Sequence, residues 1–385
     1  MTDTYVEVRD KSETGGFFSS LLASLIGVSV IYFAACMQIW NEGRAVSRDR
    51  ALGEVERTAV VVTANQILPD NENKVIQVSG PARVGSPVKD PSFPVSLKAL
   101  ALRRKCQMYQ WRETESTRDI GGGKEETTYS YNQVWSDSPI SSSSFHNGHT
   151  NPDKFPVEAH VTKAHNASLG KFKLTEACIG ALANYQTMDL STSGQPKLGG
   201  LTVYNQGKEY YIGKNPKAPQ IGDERVSFQY IPEGQTYSVL AGQSQGALVE
   251  HICKNGEKVV LAAPGELTTA ELIKRARDEN HFLTWGLRLI GVIAMWIGLL
   301  LLGAPIFALF EWIPIVGAIV DRVGGAFLGG VAVLISMVIM SFAWITYRPV
   351  IGITMIVAGV IFLLLVSAAK LSVGPQETRA PRGRR

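Results

Sequence analysis

Apolar residues fall into two patterns along this chain: long unbroken runs towards both ends, and short alternating stretches between them. A helix that crosses a bilayer needs about 20 mostly apolar residues. The first run, Phe17–Trp40, holds no charged residue between Glu13 and Glu42. The second centres on Leu289–Phe310, opens at Arg288 and closes at Glu311; with its approach it is assigned to 284–310. The third follows Arg322 and occupies 323–347. Arg348 and Pro349 break the chain, and 350–369 forms the last run before Lys370. Between the second and third, 311–322 is too short and apolar for a free loop, which predicts an interfacial connector.

The middle of the chain, 41–283, has the period of two that marks strands. Arg57–Thr63 and Lys74–Ser79 are expected as early strands. Lys105–Arg112 and Thr127–Trp135 alternate on either side of Gly121-Gly122-Gly123, which predicts a hairpin. Its stripe of Tyr109, Trp111, Tyr129, Tyr131 and Trp135 is expected to build the core, since aromatics dominate core energetics. A second hairpin is expected at Leu201–Ile212 around Asn205-Gln206-Gly207. A meander follows through Arg225–Tyr230, Gln235–Leu240, Ala247–Cys253 and Lys258–Ala262. Helices are predicted over Leu174–Asn184 and from Thr268, where Thr268-x-x-Glu271 is a capping box. The expected fold is therefore a membrane α-helical bundle of four spans plus a large β-rich α+β extracytoplasmic domain.

Charge sets the orientation. The chain carries a net charge of only +4, and Lys370, Arg379, Arg382, Arg384 and Arg385 gather in the last stretch. That concentration makes 370–385 a basic cytoplasmic tail beside anionic lipid and leaves no basic stripe for nucleic acid. Four spans put both termini on one side, so 1–16 is expected as a cytoplasmic tail and 41–283 as periplasmic or lumenal. Arg44, Arg48 and Arg50 argue the other way, but long domains translocate largely regardless of charge. The leader is acidic (Asp3, Glu7, Asp10, Glu13) and the apolar core too long for a cleavable signal. Phe33-Ala34-Ala35-Cys36 faintly resembles a lipoprotein box, but the apolar sequence continues past it, as a span would.

Residues expected at the membrane interface are Trp40, Arg44, Trp285, Arg288, Trp312, Tyr347 and Arg348, the rings and cations that favour the headgroup layer. Ser20, Ser24, Gly325 and Gly329 are small residues at spacings that let helices approach closely. Glu42 is expected to pair with a charged neighbour.

Candidate chemistry is sparse. Among Cys106, Cys178 and Cys253 any two could pair in an oxidising compartment, but none forms a CxxC or zinc-like spacing. His146-x-x-His149, with Asp153, Glu158, His160 and His165 nearby, is read as a polar surface loop, since its spacing fits no helical metal site. Asn166-Ala167-Ser168 fits a glycosylation acceptor. No nucleophile elbow, phosphate loop or dinucleotide fingerprint occurs. No catalytic residue, metal ligand or cofactor is expected, and the protein is not expected to be an enzyme.

Several stretches together resemble the LUMA (transmembrane protein forty-three) family: Asn41-Glu42-Gly43-Arg44-Ala45, Met108-Tyr109-Gln110-Trp111 with Glu113-Thr114-Glu115, and Tyr129-Ser130-Tyr131-Asn132 with Trp135. His149 with Asn151-Pro152, Arg225-Val226-Ser227-Phe228, Thr284-Trp285-Gly286-Leu287-Arg288 and Tyr347-Arg348-Pro349 complete the set. The resemblance implies four spans and a large lumenal domain. It also implies residence in the endoplasmic reticulum and inner nuclear membrane for animal members, or the inner cell membrane for bacterial ones. Animal members associate with lamins and emerin, and a channel role is also implied. The tail from Gly374 and the loop Ser141–Ser144 depart from the animal pattern. The function expected is a membrane scaffold that contacts lipid and other membrane proteins and forms a homo-oligomer. A cation channel or channel subunit is the alternative, and an extracytoplasmic metal-dependent sensor or enzyme a second one.

Overall fold

The computed structural model describes residues 3–10, 13–121, 124–310, 324–350, 352–354, 357 and 361, with the side chains of 10, 13–20, 119 and 306–310 outside that description. The chain divides into two compact units, Met1–Ser12 with Arg50–Asp278 and Glu13–Asp49 with Glu279–Arg385. Helix α1 covers Glu13–Thr58, α2 Glu176–Gly180, α3 Thr269–Phe310 and α4 Gly325–Tyr347.

The first unit is β-rich. One antiparallel sheet has eight strands, whose main path runs Asp3–Asp10, Lys124–Ser136, Ala99–Gly121, Glu224–Pro232, Glu209–Ile212 and Val203–Asn205. His160–Lys163 joins it on Ala99–Gly121, and Gln186–Thr187 on Glu224–Pro232. The expected hairpin is its longest part, with Tyr109 opposite Trp135 and Glu115 opposite Tyr129.

A second set of strands closes on itself. Val75–Val84 pairs with Ala167–Leu169, then Phe172–Leu174, Ala247–Val249 and Thr236–Ser244, which returns to Val75–Val84 as a five-strand barrel. Only the contact between Phe172–Leu174 and Ala247–Val249 is parallel within the ring. Val60–Thr63 and Leu261–Pro264 add to its outside. Closure removes unpaired edges, and the inward-facing Ile76, Val78, Ala82, Leu169, Phe172, Val239, Ala241 and Leu248 share one core with Cys106, Val226 and Phe228 of the sheet. Gly170 makes the turn inside this ring. Its φ is +58°, and a Cβ there would lie 2.2 Å from the Ala64 carbonyl oxygen.

A smaller core joins Ala51, Leu52 and Val55 of α1 to Leu272, Ile273 and Ala276 of α3, with Leu240, Cys253 and Val259. Both helices run further than the apolar runs predicted. Ala51, Leu52 and Val55 keep helical spacing after Trp40, so helix continues through the expected strand start at Arg57. The capping box forms as predicted: Glu271 accepts from the Thr268 backbone N–H at 2.8 Å, and Thr268 Oγ1 accepts from the Glu271 N–H at 3.3 Å.

Three expectations need correction. The meander does not hold, because Glu224–Pro232 belongs to the sheet and Thr236–Ser244 to the barrel. The aromatic stripe lies outside the main core: Cys106 belongs to that core, with Met108 and Gln110 buried on the same face, whereas the aromatics alternate onto the opposite face, where Tyr129 and Tyr131 are buried and Tyr109, Trp111 and Trp135 are half-buried. Residues 1–16 are not simply a tail, since Asp3–Asp10 is a strand hydrogen-bonded to Lys124–Tyr131.

Three helices among the described residues are long and apolar enough to cross a membrane, over Leu21–Thr58, Thr269–Pro305 and Gly325–Tyr347. Of the run 350–369 only 350, 352–354, 357 and 361 are described. The connector 311–322 with Trp312 and the basic tail 370–385 lie outside the described residues.

Candidate functional site

The helical unit gathers polar side chains that lie far apart in sequence. On α1, Gln38, Asn41 and Glu42 are almost wholly buried, as is Thr284 on α3. Glu42 is the centre. Its Oε1 accepts from Arg288 Nε at 2.6 Å, and its Oε2 accepts from an Arg288 terminal nitrogen at 2.9 Å and from Trp344 Nε1 at 2.7 Å. The fork matches the two carboxylate oxygens, a geometry that arginine supplies and lysine cannot. Indole rings flank the guanidinium, with its carbon 4.7 Å from the centre of Trp285 and 5.6 Å from that of Trp344.

A second array lies beside it. Arg44 donates to Asn280 Oδ1 and Thr284 Oγ1, each at 2.9 Å, and to Asn41 Oδ1 at 3.3 Å. Asn41 Nδ2 donates to the Thr284 carbonyl at 3.0 Å, and Asn280 Nδ2 to that of Ala45 at 3.1 Å. Deeper along the helices, Gln38 Nε2 donates to Ser336 Oγ at 3.0 Å. Buried polar groups of this kind are costly unless paired, so the array fixes which helix faces meet.

Glu42 does pair with a charged group, as expected, and that group is not the nearby Arg44. Glu42 and Arg44 are two positions apart on a helix and project in nearly opposite directions, so the carboxylate meets Arg288 instead. The remaining interface candidates are placed as follows. Trp40 and Trp285 are exposed, and Trp285 Nε1 donates to His281 Nε2 at 2.9 Å. Tyr347 packs on Gly43, where a Cβ would lie 2.7 Å from its ring. Arg348 is exposed and its backbone N–H donates to the Trp344 carbonyl at 2.7 Å.

Of the packing candidates, Ser24 Oγ donates to the Leu302 carbonyl at 3.1 Å, joining α1 to α3. The Gly325 carbonyl accepts from Trp296 Nε1 at 2.9 Å, and Gly329 faces the same indole. The side chain of Ser20 is outside the described residues. A close approach of α1 to the backbone of α3 involves residues that the small-residue pattern missed: a Cβ on Gly27 would lie 2.7 Å from the Gly298 carbonyl oxygen, and one on Gly298 would lie 2.7 Å from Ile31. Gly27 stands three residues after Ser24, which was the available signal.

In the β-rich unit the histidine loop is tied to the amino-terminal strand. His149 Nε2 lies 3.1 Å from Asp3 Oδ2 and its ring stacks on Trp111 at 4.1 Å. His146 Nε2 lies 3.2 Å from Glu7 and stacks on Tyr129 at 4.2 Å. His165 is instead on Glu176 at 3.6 Å, and His160 lies in a sheet strand, so the polar residues of that stretch do not converge. All four cysteines are thiols. Burial, reinforced by the Glu224 charge, pushes the Cys106 thiol well above its ordinary value, which makes it a poor nucleophile. Burial also raises Glu224 to about 7, although the Val157 N–H donates to it at 3.0 Å.

The chain has relatives among known proteins. The sequence model of the family described as Transmembrane protein 43 matches residues 108–349. The chain is similar to Transmembrane protein 43 of Homo sapiens, 33% identical over 356 residues, covering 88% of this chain and 86% of that protein. It is 31% identical over 356 residues to Transmembrane protein 43 of Mus musculus, with the same coverage of 88% and 86%. It is 30% identical over 348 residues to the Transmembrane protein 43 homolog of Drosophila melanogaster, covering 87% of this chain and 92% of that protein. No solved structure matches.

Proposed function

This chain belongs to the Transmembrane protein 43 family, and from that premise we propose that it is a self-associating, multi-pass membrane scaffold rather than an enzyme. The observation that supports this reading is the use made of Glu42. A carboxylate buried among apolar helices often marks an ion or proton path. Here both its oxygens are taken by Arg288 and Trp344, so the charge locks helices together. The outer faces carry exposed Leu25, Phe33, Leu289, Phe327 and Phe342, surface suited to lipid or to another membrane protein.

The topology we infer counts backwards from the carboxy terminus. Spans at 284–310, 323–347 and 350–369 separate the basic tail from the β-rich unit, and a cytoplasmic tail therefore leaves that unit outside the cytoplasm. The first helix adds a fourth apolar segment to the bundle.

The test is the oligomeric state of the full chain in mild detergent, measured by light scattering, with cation flux measured on the same sample in liposomes. An oligomer without flux is expected. A strict monomer would sink the scaffold reading, and flux abolished by substitutions in the helices would replace it with a cation channel.

A further inference from the structure

The β-rich unit brings together three potential metal ligands of different chemistry. Glu54 on α1, His251 and Cys253 each offer one ligand atom, and these atoms lie within 4.8 Å of one another. The local fold explains the meeting. His251–Ile252 and Lys258–Val259 form a short antiparallel ladder whose turn is closed by the Gly256 N–H donating to the Cys253 carbonyl at 2.8 Å. Residues two apart along an extended chain share a face, so His251 and Cys253 point the same way while Ile252 is exposed on the other. Glu54 belongs to the helical stretch whose Ala51, Leu52 and Val55 pack in the core with Cys253. The Lys254 backbone N–H, at 3.1 and 3.3 Å, aims its carboxylate at the turn.

From this geometry we propose that Glu54, His251 and Cys253 form a binding site for a thiophilic divalent transition metal of the zinc type. Tetrahedral zinc needs ligand atoms roughly 3.3–3.7 Å apart, given bonds of about 2.0–2.3 Å. Rotamer shifts of about 1 Å bring the three atoms to that spacing. Glu54 and His251 are half-buried and able to move, whereas Cys253 is held in the core at 3% exposure. Binding replaces the contact of Cys253 Sγ with the Ala51 carbonyl, 3.7 Å away, by a metal–thiolate bond. The thiol proton leaves to solvent, and the dication is balanced by one thiolate and one carboxylate, with the imidazole neutral. Three protein ligands leave the fourth position to water or an external ligand. His-x-Cys alone gave no recognisable motif, because the third ligand lies 197 positions upstream.

The experiment is a Co2+ titration of the metal-free full chain in detergent, read by the thiolate-to-cobalt charge-transfer band and the visible bands of tetrahedral cobalt. One equivalent is expected to bind and to be displaced by Zn2+. Cys253→Ser should abolish the charge-transfer band, and His251→Asn should weaken binding at least tenfold. Cys36→Ser, a control in the first helix, should change neither. Absence of the band in folded protein, or its persistence in Cys253→Ser, overturns the proposal. If Cys253→Ser fails to fold, His251→Asn decides, and undiminished affinity in that variant overturns it.

Discussion

Glu42 and Arg288 show how much one ion pair can determine. Two charges removed from water are costly, and their mutual bonds offset the cost only when both partners are present. Ala substitution at either position should therefore destabilise the helical unit by about 3–5 kcal/mol, while the double substitution should cost clearly less than the sum of the singles. A double-mutant cycle in detergent unfolding measures this, and additive losses would show that the pair is uncoupled. Glu224 makes a different statement, about pH. Its folded value of about 7 lies above the ordinary 4.5, so between these values the folded state keeps a proton that the unfolded chain releases. Stability from this group is therefore complete below about pH 4.5 and falls as pH rises towards 7, by about 3 kcal/mol in all, since each tenfold change in proton affinity is worth about 1.4 kcal/mol. Glu224→Gln should flatten that portion of the stability–pH curve; an unchanged curve would assign the slope to other groups. The sequence marked Glu42 and Arg288 as notable but could not pair them, because the 246 positions between them carry no local signal. Glu224 was invisible, since nothing near it in sequence announces burial.

Elements were legible in proportion to how locally they are determined. Apolar runs gave three long helices, because length and composition suffice to mark them. The hairpin around Gly121 and the capping box at Thr268 were equally local. The barrel was not, since Val75–Val84 meets Thr236–Ser244 across the length of the domain. The face of the hairpin was misjudged for a related reason. Aromatic content suggested a core, but the core is built by Cys106 and its neighbours, and the aromatics pack on the histidine loop. Helix packing turns on Gly27, whose missing side chain lets α1 approach the backbone of α3. Gly27→Ala should cost about 1–3 kcal/mol, because the added methyl meets backbone atoms that cannot rotate away. Thermal unfolding in detergent checks this, and an unchanged midpoint would mean that the helices shift freely.

At the scale of the whole molecule, the strand Asp3–Asp10 constrains topology. Hydrogen-bonded partners share a compartment, so residues 3–10 stand on the side of Lys124–Tyr131. One crossing of a bilayer by 17–40 would separate them, and the two arrangements exclude each other within a single chain. The parity of four spans and the basic tail favoured separation; the strand register favours the same side. A cysteine at Tyr5 (Tyr5→Cys), in a background lacking the native cysteines, should react with a membrane-impermeant maleimide only from the side of the β-rich unit. Reaction only from the opposite side would remove this strand from the sheet and restore the single crossing.

The ring closed by Thr236–Ser244 also sets an order of events during synthesis. Its first strand, Val75–Val84, leaves the ribosome long before Thr236–Ser244, its longest partner in the ring, exists, and Ala247–Val249 follows later still. Most of the antiparallel sheet, from Ala99 to Pro232, is made in that interval. Pairings of such long sequence separation form slowly, because chain entropy is lost before any contact repays it. The sheet can therefore assemble as an early platform while Val75–Val84, already able to pair with Val60–Thr63 and Ala167–Leu169, waits with the edge that takes Thr236–Ser244 open. Truncated chains ending before residue 236 should expose that edge and aggregate, whereas chains extended past residue 249 can close it.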